Sequence, residues 1–229
     1  MSASRPARSG EGGTRARPVS YTKATEILVD RDPVLADLVA RAGPIRLRRS
    51  RLSSLEALVQ AIVYQQLAGA AARAIYGRLI AALDNDVSPE RLLALSDATL
   101  RTVGLSAAKV LSLRDLATKV LDGTVDLESR RLHRQSDEEV TQRLSSVRGI
   151  GPWSAQMFMI FQLRRIDIWP VGDFGIRKGY GLAWGIPTPS QRELDPLGEP
   201  FRPYRTVLAW YCWRAAELFA GAAESALTH

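Results

Sequence analysis

The chain has 229 residues, and its 31 Lys and Arg against 24 Asp and Glu give a formal net charge of +7. Apolar residues make up 46% and charged residues 24%, an ordinary globular composition that excludes a disordered chain, a collagen and a disulfide scaffold. At roughly 150 residues per domain, this length corresponds to one or two domains. No apolar run reaches the ~18 residues of a membrane span, so the sequence predicts no membrane partner.

Positive charge is concentrated near the N-terminus. Residues 1–20 are rich in Arg, Ser, Gly and Pro and contain almost no large apolar residue, which predicts a disordered basic tail. This tail is either a solvated leader or a weak DNA-tethering arm. Residues 41–51 contain five arginines and no acidic residue. Such a cluster favours a polyanionic partner, although arginine can also be abundant for reasons unrelated to binding.

Cysteine and histidine are too few for the common metal centres. Cys212 is the one cysteine, and the two histidines are His133 and His229. An iron–sulfur cluster held by cysteines and a His-based zinc site are therefore excluded within this sequence, and we expect no such cofactor. The N-terminus is basic and lacks the apolar segment of a secretory signal, so the expected location is cytoplasmic.

The elements in chain order are predicted to be helices. Ser53 and Glu56 form a capping box before a run with apolar residues at i, i+3, i+4, i+7 and i+8, which is typical of an amphipathic helix. Further helices are predicted at 70–83, after Ser88-Pro89, at 96–103, at 106–121, from the capping box of Ser136 and Glu139 to about 147, and after Gly151, Gly172 and Pro203. No period-2 pattern is present, so the predicted fold class is all-α. Residues 185–202 contain four prolines and are predicted to be a loop.

The segment Arg148-Gly149-Ile150-Gly151-Pro152 is the first functional motif. One helix ends, two glycines permit a tight turn, and a proline opens the next helix. Bare backbone amides at a helix N-terminus bind phosphate. The motif therefore predicts a phosphate-binding helix–hairpin–helix, with Ile150 directed into the core; the alternative is a plain turn between two helices.

Further motifs carry a family resemblance. Gly-Ile-Gly is followed downstream by Pro170-x-x-Asp173-x-x-x-Arg177, a combination that resembles the helix–hairpin–helix DNA glycosylase superfamily. Within it, the chain resembles the 3-methyladenine DNA glycosylase II (AlkA-type) branch through three segments. These are Tyr-Gln-Gln-Leu-Ala-Gly at 64–69, Gly-Pro-Trp-Ser-Ala at 151–155 and Arg-Pro-Tyr-Arg-Thr at 202–206. The resemblance covers about residues 30–220, nearly all of the predicted folded part.

This resemblance implies a fold and an activity. Two helical subdomains within residues 21–229 would place the active site in the cleft between them, and the chain would lack the extra N-terminal β domain of some relatives. The enzyme would extrude a damaged nucleotide from double-stranded DNA, because the glycosidic bond is unreachable inside the base stack. It would hydrolyse that bond and leave an abasic site. A monomer associated with the nucleoid is expected.

Asp173 is the predicted catalytic residue. A carboxylate stabilises the positive charge that develops on the sugar during glycosidic cleavage and can orient water. Asp173 also precedes a predicted helix, so the alternative is that it serves only as an N-cap. Trp153 stands where bifunctional relatives have a lysine, and an indole has no nucleophilic amine. The resemblance therefore implies base release without cleavage of the DNA backbone.

The remaining roles also follow from the resemblance. Trp153, Met157 and Tyr204 would line the base pocket; an electron-rich ring attracts a cationic alkylated purine. Met157 and Tyr204 depart from the usual aromatic and Trp, which leaves the damage spectrum open. Trp210, Tyr211 and Trp213 on the last predicted helix are assigned to the core rather than the pocket.

DNA contacts are expected at two further places. Gln66, with Gln65 and Leu67 beside it, would fill the gap left by the flipped nucleotide; the alternative is a capping pair at a helix end. Arg177 and Lys178 are candidate DNA contacts, and backbone carbonyls near Val147 and Ile150 could hold a monovalent cation.

Two other functions remain open at this stage. A non-catalytic DNA-damage-binding protein would keep the hairpin and the wedge but would not need Asp173, since a carboxylate near phosphates weakens binding. A glycosylase for deaminated bases such as uracil or hypoxanthine, or for exocyclic adducts, would keep the reaction. Neutral bases are poorer leaving groups and usually require more polar pocket groups.

Overall fold

The computed structural model describes residues 19–226, and the side chains of residues 19–219, as an all-helical protein. No strand occurs in that range, which confirms the predicted fold class. The helices are α1 (Tyr21–Val29), α2 (Pro33–Ala42), α3 (Ser54–Tyr64), α4 (Gly69–Ala82), α5 (Pro89–Ala94), α6 (Asp97–Thr102), α7 (Ala107–Leu121), α8 (Ser129–Leu132), α9 (Asp137–Ser145), α10 (Pro152–Phe161), α11 (Phe174–Trp184), α12 (Gln191–Leu197) and α13 (Arg205–Ala226). Across residues 19–226, no helix is both long and apolar enough to cross a bilayer. The predicted disordered tail lies outside the described residues except for Val19 and Ser20, and Ser20 caps α1.

The two capping boxes predicted from the sequence are confirmed by their hydrogen bonds. Ser53 accepts a hydrogen bond from the amide of Glu56, while Glu56 accepts one from the amide of Ser53, at 3.2 and 2.6 Å. Ser136 caps α9 with the same reciprocal pair. Each cap satisfies amide donors that the first helical turn leaves without a partner.

The prediction that residues 185–202 form a loop is wrong. This segment contains α12 and a 3-10 turn at Glu199–Phe201. A third capping box, formed by Ser190 and Glu193, starts α12. Pro200 occupies an early position of the 3-10 turn, where a missing amide costs little, so the prolines do not prevent helical structure. The one-turn helix α8 was also not predicted.

Two hydrophobic cores divide the helices into two subdomains. The first core is built by residues between Leu47 and Ile168, from α3 to α10. The second core is formed by α1 and α2 together with α11, α12 and α13. Ile45, Trp210 and Trp213 contact both cores. The two-subdomain organisation that the resemblance implied is therefore present.

Helices α11 and α13 approach each other closely at a glycine. A Cβ on Gly179 would lie 1.7 Å from the carbonyl oxygen of Cys212, so no larger residue fits without separating the two helices. Cys212 itself is fully buried, and this burial raises the pKa of its thiol. The approach brings the N-terminus of α11 beside the middle of α13.

Replacing Gly179 by alanine is expected to destabilise the protein. The added methyl meets backbone rather than a flexible side chain, and overpacking of this kind costs about 1–3 kcal/mol or more. The matched control is Gly77→Ala, also inside a helix, where a Cβ would meet nothing within 4 Å; it should be neutral or stabilising by up to ~1 kcal/mol. Thermal and urea unfolding measure both, and equal midpoints for the two variants would contradict the tight contact.

Candidate active site

The predicted hairpin joins α9 to α10. Gly149 has φ +77°, and a Cβ there would lie 2.6 Å from the hydroxyl oxygen of Ser112, so this position requires glycine. Ile150 is 4% exposed and packs in the first core, as predicted. Gly151 caps α10 without a side-chain bond, which leaves the first amides of α10 free of side-chain caps. Amides at a helix N-terminus can bind phosphate, and phosphate binding at this hairpin stays a prediction.

A carboxylate on α7 fixes the start of this hairpin. Asp115 Oδ2 accepts hydrogen bonds from the Arg148 amide at 2.7 Å and from Lys119 Nζ at 2.8 Å. Lys119 Nζ also donates to the carbonyl of Ser146. Partial burial raises the pKa of Asp115, but the bonds from Lys119 and Arg148 outweigh it and hold the pKa below its usual 3.8. Sequence reasoning missed this support, for which the i,i+4 spacing of Asp115 and Lys119 was the available signal.

The three predicted wedge residues lie together at the junction of α3 and α4. Gln65 Nε2 donates to the carbonyl of Gly149 at 2.8 Å, so this corner is bonded directly to the hairpin. Gln66 has φ +56°, a conformation uncommon for a non-glycine residue, and its side chain is exposed. Leu67 is 36% exposed. The geometry presents a fixed, solvent-facing corner next to the phosphate site.

Asp173 lies at the N-terminus of α11, and its hydrogen bonds are compatible with both predicted roles, the helix cap and the catalytic carboxylate. As N-cap, its Oδ1 accepts a bond from the Ile176 amide at 2.9 Å. The same oxygen accepts from Trp213 Nε1 at 3.0 Å, and Oδ2 accepts from Trp153 Nε1 at 2.8 Å. A carboxylate offers about four acceptor positions, so Oδ2 retains capacity for a water molecule or a polar substrate atom.

A cavity of about 950 Å³ lies between α3 and α10. Trp153, Met157, Gln65, Gln66 and Gly149 all contribute to its lining, so five of the predicted site residues meet here. Seven of the thirteen other lining residues are apolar or aromatic: Leu52, Ala57, Leu58, Ala61, Tyr64, Phe158 and Phe161. Trp153 connects the cavity to the carboxylate, because its ring lines the cavity while its N–H bonds to Asp173.

Trp213 is a site residue that sequence reasoning assigned to the core. It donates to Asp173 and stacks on Phe161, with ring centroids 5.9 Å apart. Gly175 permits this approach, since a Cβ there would lie 3.1 Å from both Asp173 Oδ1 and Trp213 Cδ1. No local motif identifies Trp213, because its contacts are with residues far away in the sequence. The core assignment of Tyr211 is confirmed by its complete burial.

Tyr204 does not line this cavity, and its pocket role stays a prediction. It packs against the second core, with the Arg31 guanidinium 6.0 Å from its ring centroid. Its neighbour Arg205 is buried and bonds to Asp167 through Nε at 2.8 Å. The motif at 202–206 thus anchors the start of α13.

Arg177 and Lys178 lie on α11, just beyond Asp173. The Arg177 guanidinium is half-buried, donates to the carbonyl of Pro189 at 3.3 Å and lies 5.5 Å from the ring centroid of the exposed Phe174. Lys178 is half-buried. Contact of either residue with DNA stays a prediction.

The expected cation position near the hairpin consists of backbone carbonyls. The Val147 carbonyl accepts a bond from the Ile150 amide at 3.0 Å, which uses one of its two lone pairs. Among the described residues, no group of three or more His, Cys, Asp or Glu could hold a metal ion. A monovalent cation at Val147 and Ile150 therefore stays a prediction.

The protein combines an all-helical fold, a hairpin and a corner that line one cavity, and a carboxylate bonded to the Trp153 ring of that cavity. Comparison with known proteins identifies the class to which such an arrangement belongs. The chain belongs to the HhH-GPD superfamily of base excision DNA repair proteins, whose family model matches residues 59–203. It is 33% identical over 204 residues to DNA-3-methyladenine glycosylase 1 of Schizosaccharomyces pombe, covering 87% of this chain and 89% of that protein. A DNA-3-methyladenine glycosylase of Saccharomyces cerevisiae is 27% identical over 237 residues, covering 86% of this chain and 80% of that protein.

Two solved structures are similar along most of their length. One is the Schizosaccharomyces pombe 3-methyladenine DNA glycosylase Mag1 in complex with abasic DNA, with a TM-score of 0.77, 33% identity and coverage of 86% of this chain and 97% of that chain. The other is a DNA-3-methyladenine glycosidase from Bacillus halodurans, with a TM-score of 0.79, 33% identity and coverage of 90% and 96%.

Replacing Asp115 by asparagine is expected to loosen the hairpin. A lowered folded-state pKa means that the carboxylate stabilises the fold fully above its ordinary pKa and loses this effect as the pH falls through the folded value. The free energy of unfolding of the variant should therefore be about 1–2 kcal/mol lower than that of the parent at pH 7. This difference should shrink below about pH 4. Asp37→Asn removes an exposed ion pair and should cost under ~1 kcal/mol. Urea unfolding between pH 3 and 7 measures both, and a pH-independent difference for Asp115→Asn would contradict this account.

Proposed function

We propose that the chain is a DNA glycosylase that extrudes alkylated purines of the 3-methyladenine and 7-methylguanine type from double-stranded DNA and hydrolyses their N-glycosidic bond. The observation that carries this proposal is Asp173, a carboxylate held by two indole N–H groups beside an apolar cavity. Binding of DNA alone has no use for a carboxylate placed there, since it would repel phosphates.

Asp173 supplies the electrostatic part of the reaction. As the base departs, positive charge develops on the sugar, and a fixed carboxylate stabilises it without having to reorganise. Both carboxylate oxygens are held by N–H donors of Trp153, Trp213 and Ile176, so the group is oriented before substrate arrives. The open acceptor capacity of Oδ2 is suited to orienting the attacking water.

The aromatic part of the cavity lining, rather than Arg48 and Arg49 which also line it, favours a cationic alkylated purine as the leaving base. Such a base already carries positive charge, so it leaves without a strong general acid. Trp153 presents an electron-rich ring to the cavity, and ring faces attract cations by about 0.5–2 kcal/mol. Met157 adds a polarizable thioether to the lining. His133, the internal histidine, lies on the surface at the end of α8, away from the cavity lining.

The hairpin and the corner would hold the DNA while the base is out. The first amides of α10 would bind a backbone phosphate, and Gln66, with Gln65 and Leu67, would occupy the space left in the duplex. The bond between Gln65 and Gly149 keeps these two elements in register. One copy of the protein supplies all of these elements, so we propose that it acts as a monomer. We also propose a cytoplasmic location in association with the nucleoid.

Asp173→Asn is expected to abolish base release while DNA binding persists. Asparagine is as good an N-cap as aspartate, so the variant removes the charge without removing the cap. The rate of 3-methyladenine and 7-methylguanine release from methylated duplex DNA should fall by at least about 100-fold. The control Asp195→Asn, at an exposed position of α12, should release base at the parent rate. An Asp173→Asn variant as active as the parent would disprove the catalytic role, and no release by the parent, with DNA still bound, would favour a damage-binding protein.

The product is expected to be an intact strand with an abasic site. Trp153 has no nucleophilic amine, so no Schiff base forms at that position. The reacted DNA should break only after alkali treatment, and borohydride should trap no covalent complex. A trapped complex would contradict the proposal, and Lys178→Gln would then test whether the lysine on α11 is the nucleophile.

A further inference from the structure

The segment between α2 and α3, residues 43–53, is neither helix nor strand. It carries four exposed arginines, at positions 46, 48, 49 and 51, and one buried anchor, Leu47. We call these four residues the arginine segment. The roles proposed for the hairpin, the corner and the carboxylate do not involve these four arginines.

Three bonds from the body of the protein hold this backbone in place. Tyr211 Oη donates to the Gly43 carbonyl at 3.2 Å. Arg164 Nη1 donates to the Leu47 carbonyl at 2.6 Å, and Gln162 Nε2 donates to the Leu52 carbonyl at 2.7 Å. The arginines therefore project from a fixed support, which lowers the entropy cost of binding a ligand.

The four charges are not neutralised within the described part of the protein. Arg41, the fifth arginine of the cluster, pairs with Asp37 at 2.9 Å. None of the four arginines of the segment forms an ion pair with any side chain among residues 19–219. Like charges held this close repel one another, and a polyanion relieves that repulsion.

The arginine segment borders the site already described. Arg48 and Arg49 line the same cavity as Gln66 and Gly149. We propose that the arginine segment is a second phosphate-binding surface, which contacts the sugar–phosphate backbone of the DNA bound at this cavity, in addition to the hairpin. The inference rests on the proposed function only in taking DNA as the ligand.

The dimensions of the segment fit a DNA strand. An extended chain advances about 3.3–3.6 Å per residue, so positions 46 to 51 span at most about 18 Å. One strand of a duplex has a phosphate for every ~3.4 Å of helix axis, but it winds around that axis, so a straight segment of this length runs beside about two or three phosphates of one strand. Guanidinium groups bind phosphate oxygens through paired N–H bonds, so the four arginines together can hold these phosphates.

The test is the salt dependence of DNA binding by the full chain. A fluorescent 25-base-pair duplex, undamaged or with a tetrahydrofuran abasic analogue, is titrated at several salt concentrations with the parent, Arg48→Gln/Arg49→Gln and Arg46→Gln/Arg51→Gln. The control Arg130→Gln/Arg134→Gln removes the same charge from exposed arginines that do not line the cavity.

Each lost phosphate contact should make the slope of log K against log salt concentration shallower by about 0.9, so each double variant of the segment should make it shallower by about 1 to 2. Affinity at low salt should fall about tenfold or more, while the control keeps the parent slope. Thermal unfolding of each variant checks the fold. Slopes of both segment variants that coincide with the control overturn the proposal.

Failure of this inference is separable from failure of the proposed function. Release of methylated bases by the parent, combined with unchanged slopes, would refute the phosphate surface and leave the glycosylase in place. Shallower slopes without base release by the parent would confirm the surface and refute the enzyme.

Discussion

The carboxylate of Asp173 accepts hydrogen bonds from three helices, which belong to both subdomains. Its N-cap bond belongs to α11, and one indole donor comes from α13, both in the second subdomain. The other indole donor, Trp153, comes from α10 in the first subdomain. This carboxylate is thus held where the two subdomains meet, and the relative position of the subdomains sets its geometry. The close approach of α11 and α13 at Gly179 and the small residue at Gly175 both serve this one arrangement.

The hairpin side of the site depends on buried or partly buried polar contacts rather than on hydrophobic packing alone. Asp115 holds the Arg148 amide, and Gln65 holds the Gly149 carbonyl. The turn cannot pair all of its backbone N–H and C=O groups within itself, so the Arg148 amide and the Gly149 carbonyl are bonded to side chains of neighbouring elements. This explains why a surface turn with two glycines has a defined conformation.

Local signals predicted much of this structure. Capping boxes, the Gly149–Gly151 turn and the cap position of Asp173 each involve residues within a few positions of one another, so their pattern is visible in the sequence. Residues 185–202 were predicted to be a loop because they contain four prolines. The capping box of Ser190 and Glu193, which starts a helix there, was not recognised. Trp213 could not be assigned, since its partner Asp173 lies 40 positions away. The i,i+4 spacing of Asp115 and Lys119 was visible, but it does not reveal that Asp115 also bonds to the Arg148 amide, 33 positions away. A motif match gives the order of residues and not the direction in which a side chain points, so the sequence did not show that Tyr204 lies outside this cavity.

The bond between Gln65 and Gly149 has a consequence for how such a protein moves along DNA. The hairpin and the corner formed by Gln65, Gln66 and Leu67 are joined by this bond, so under the proposed function a duplex bound at the hairpin would also meet the corner. Sliding with the hairpin bound would press the corner against every base step in turn. Transport over long distances would then require release of the hairpin, and each renewed contact would test the stacking of the bases at that point.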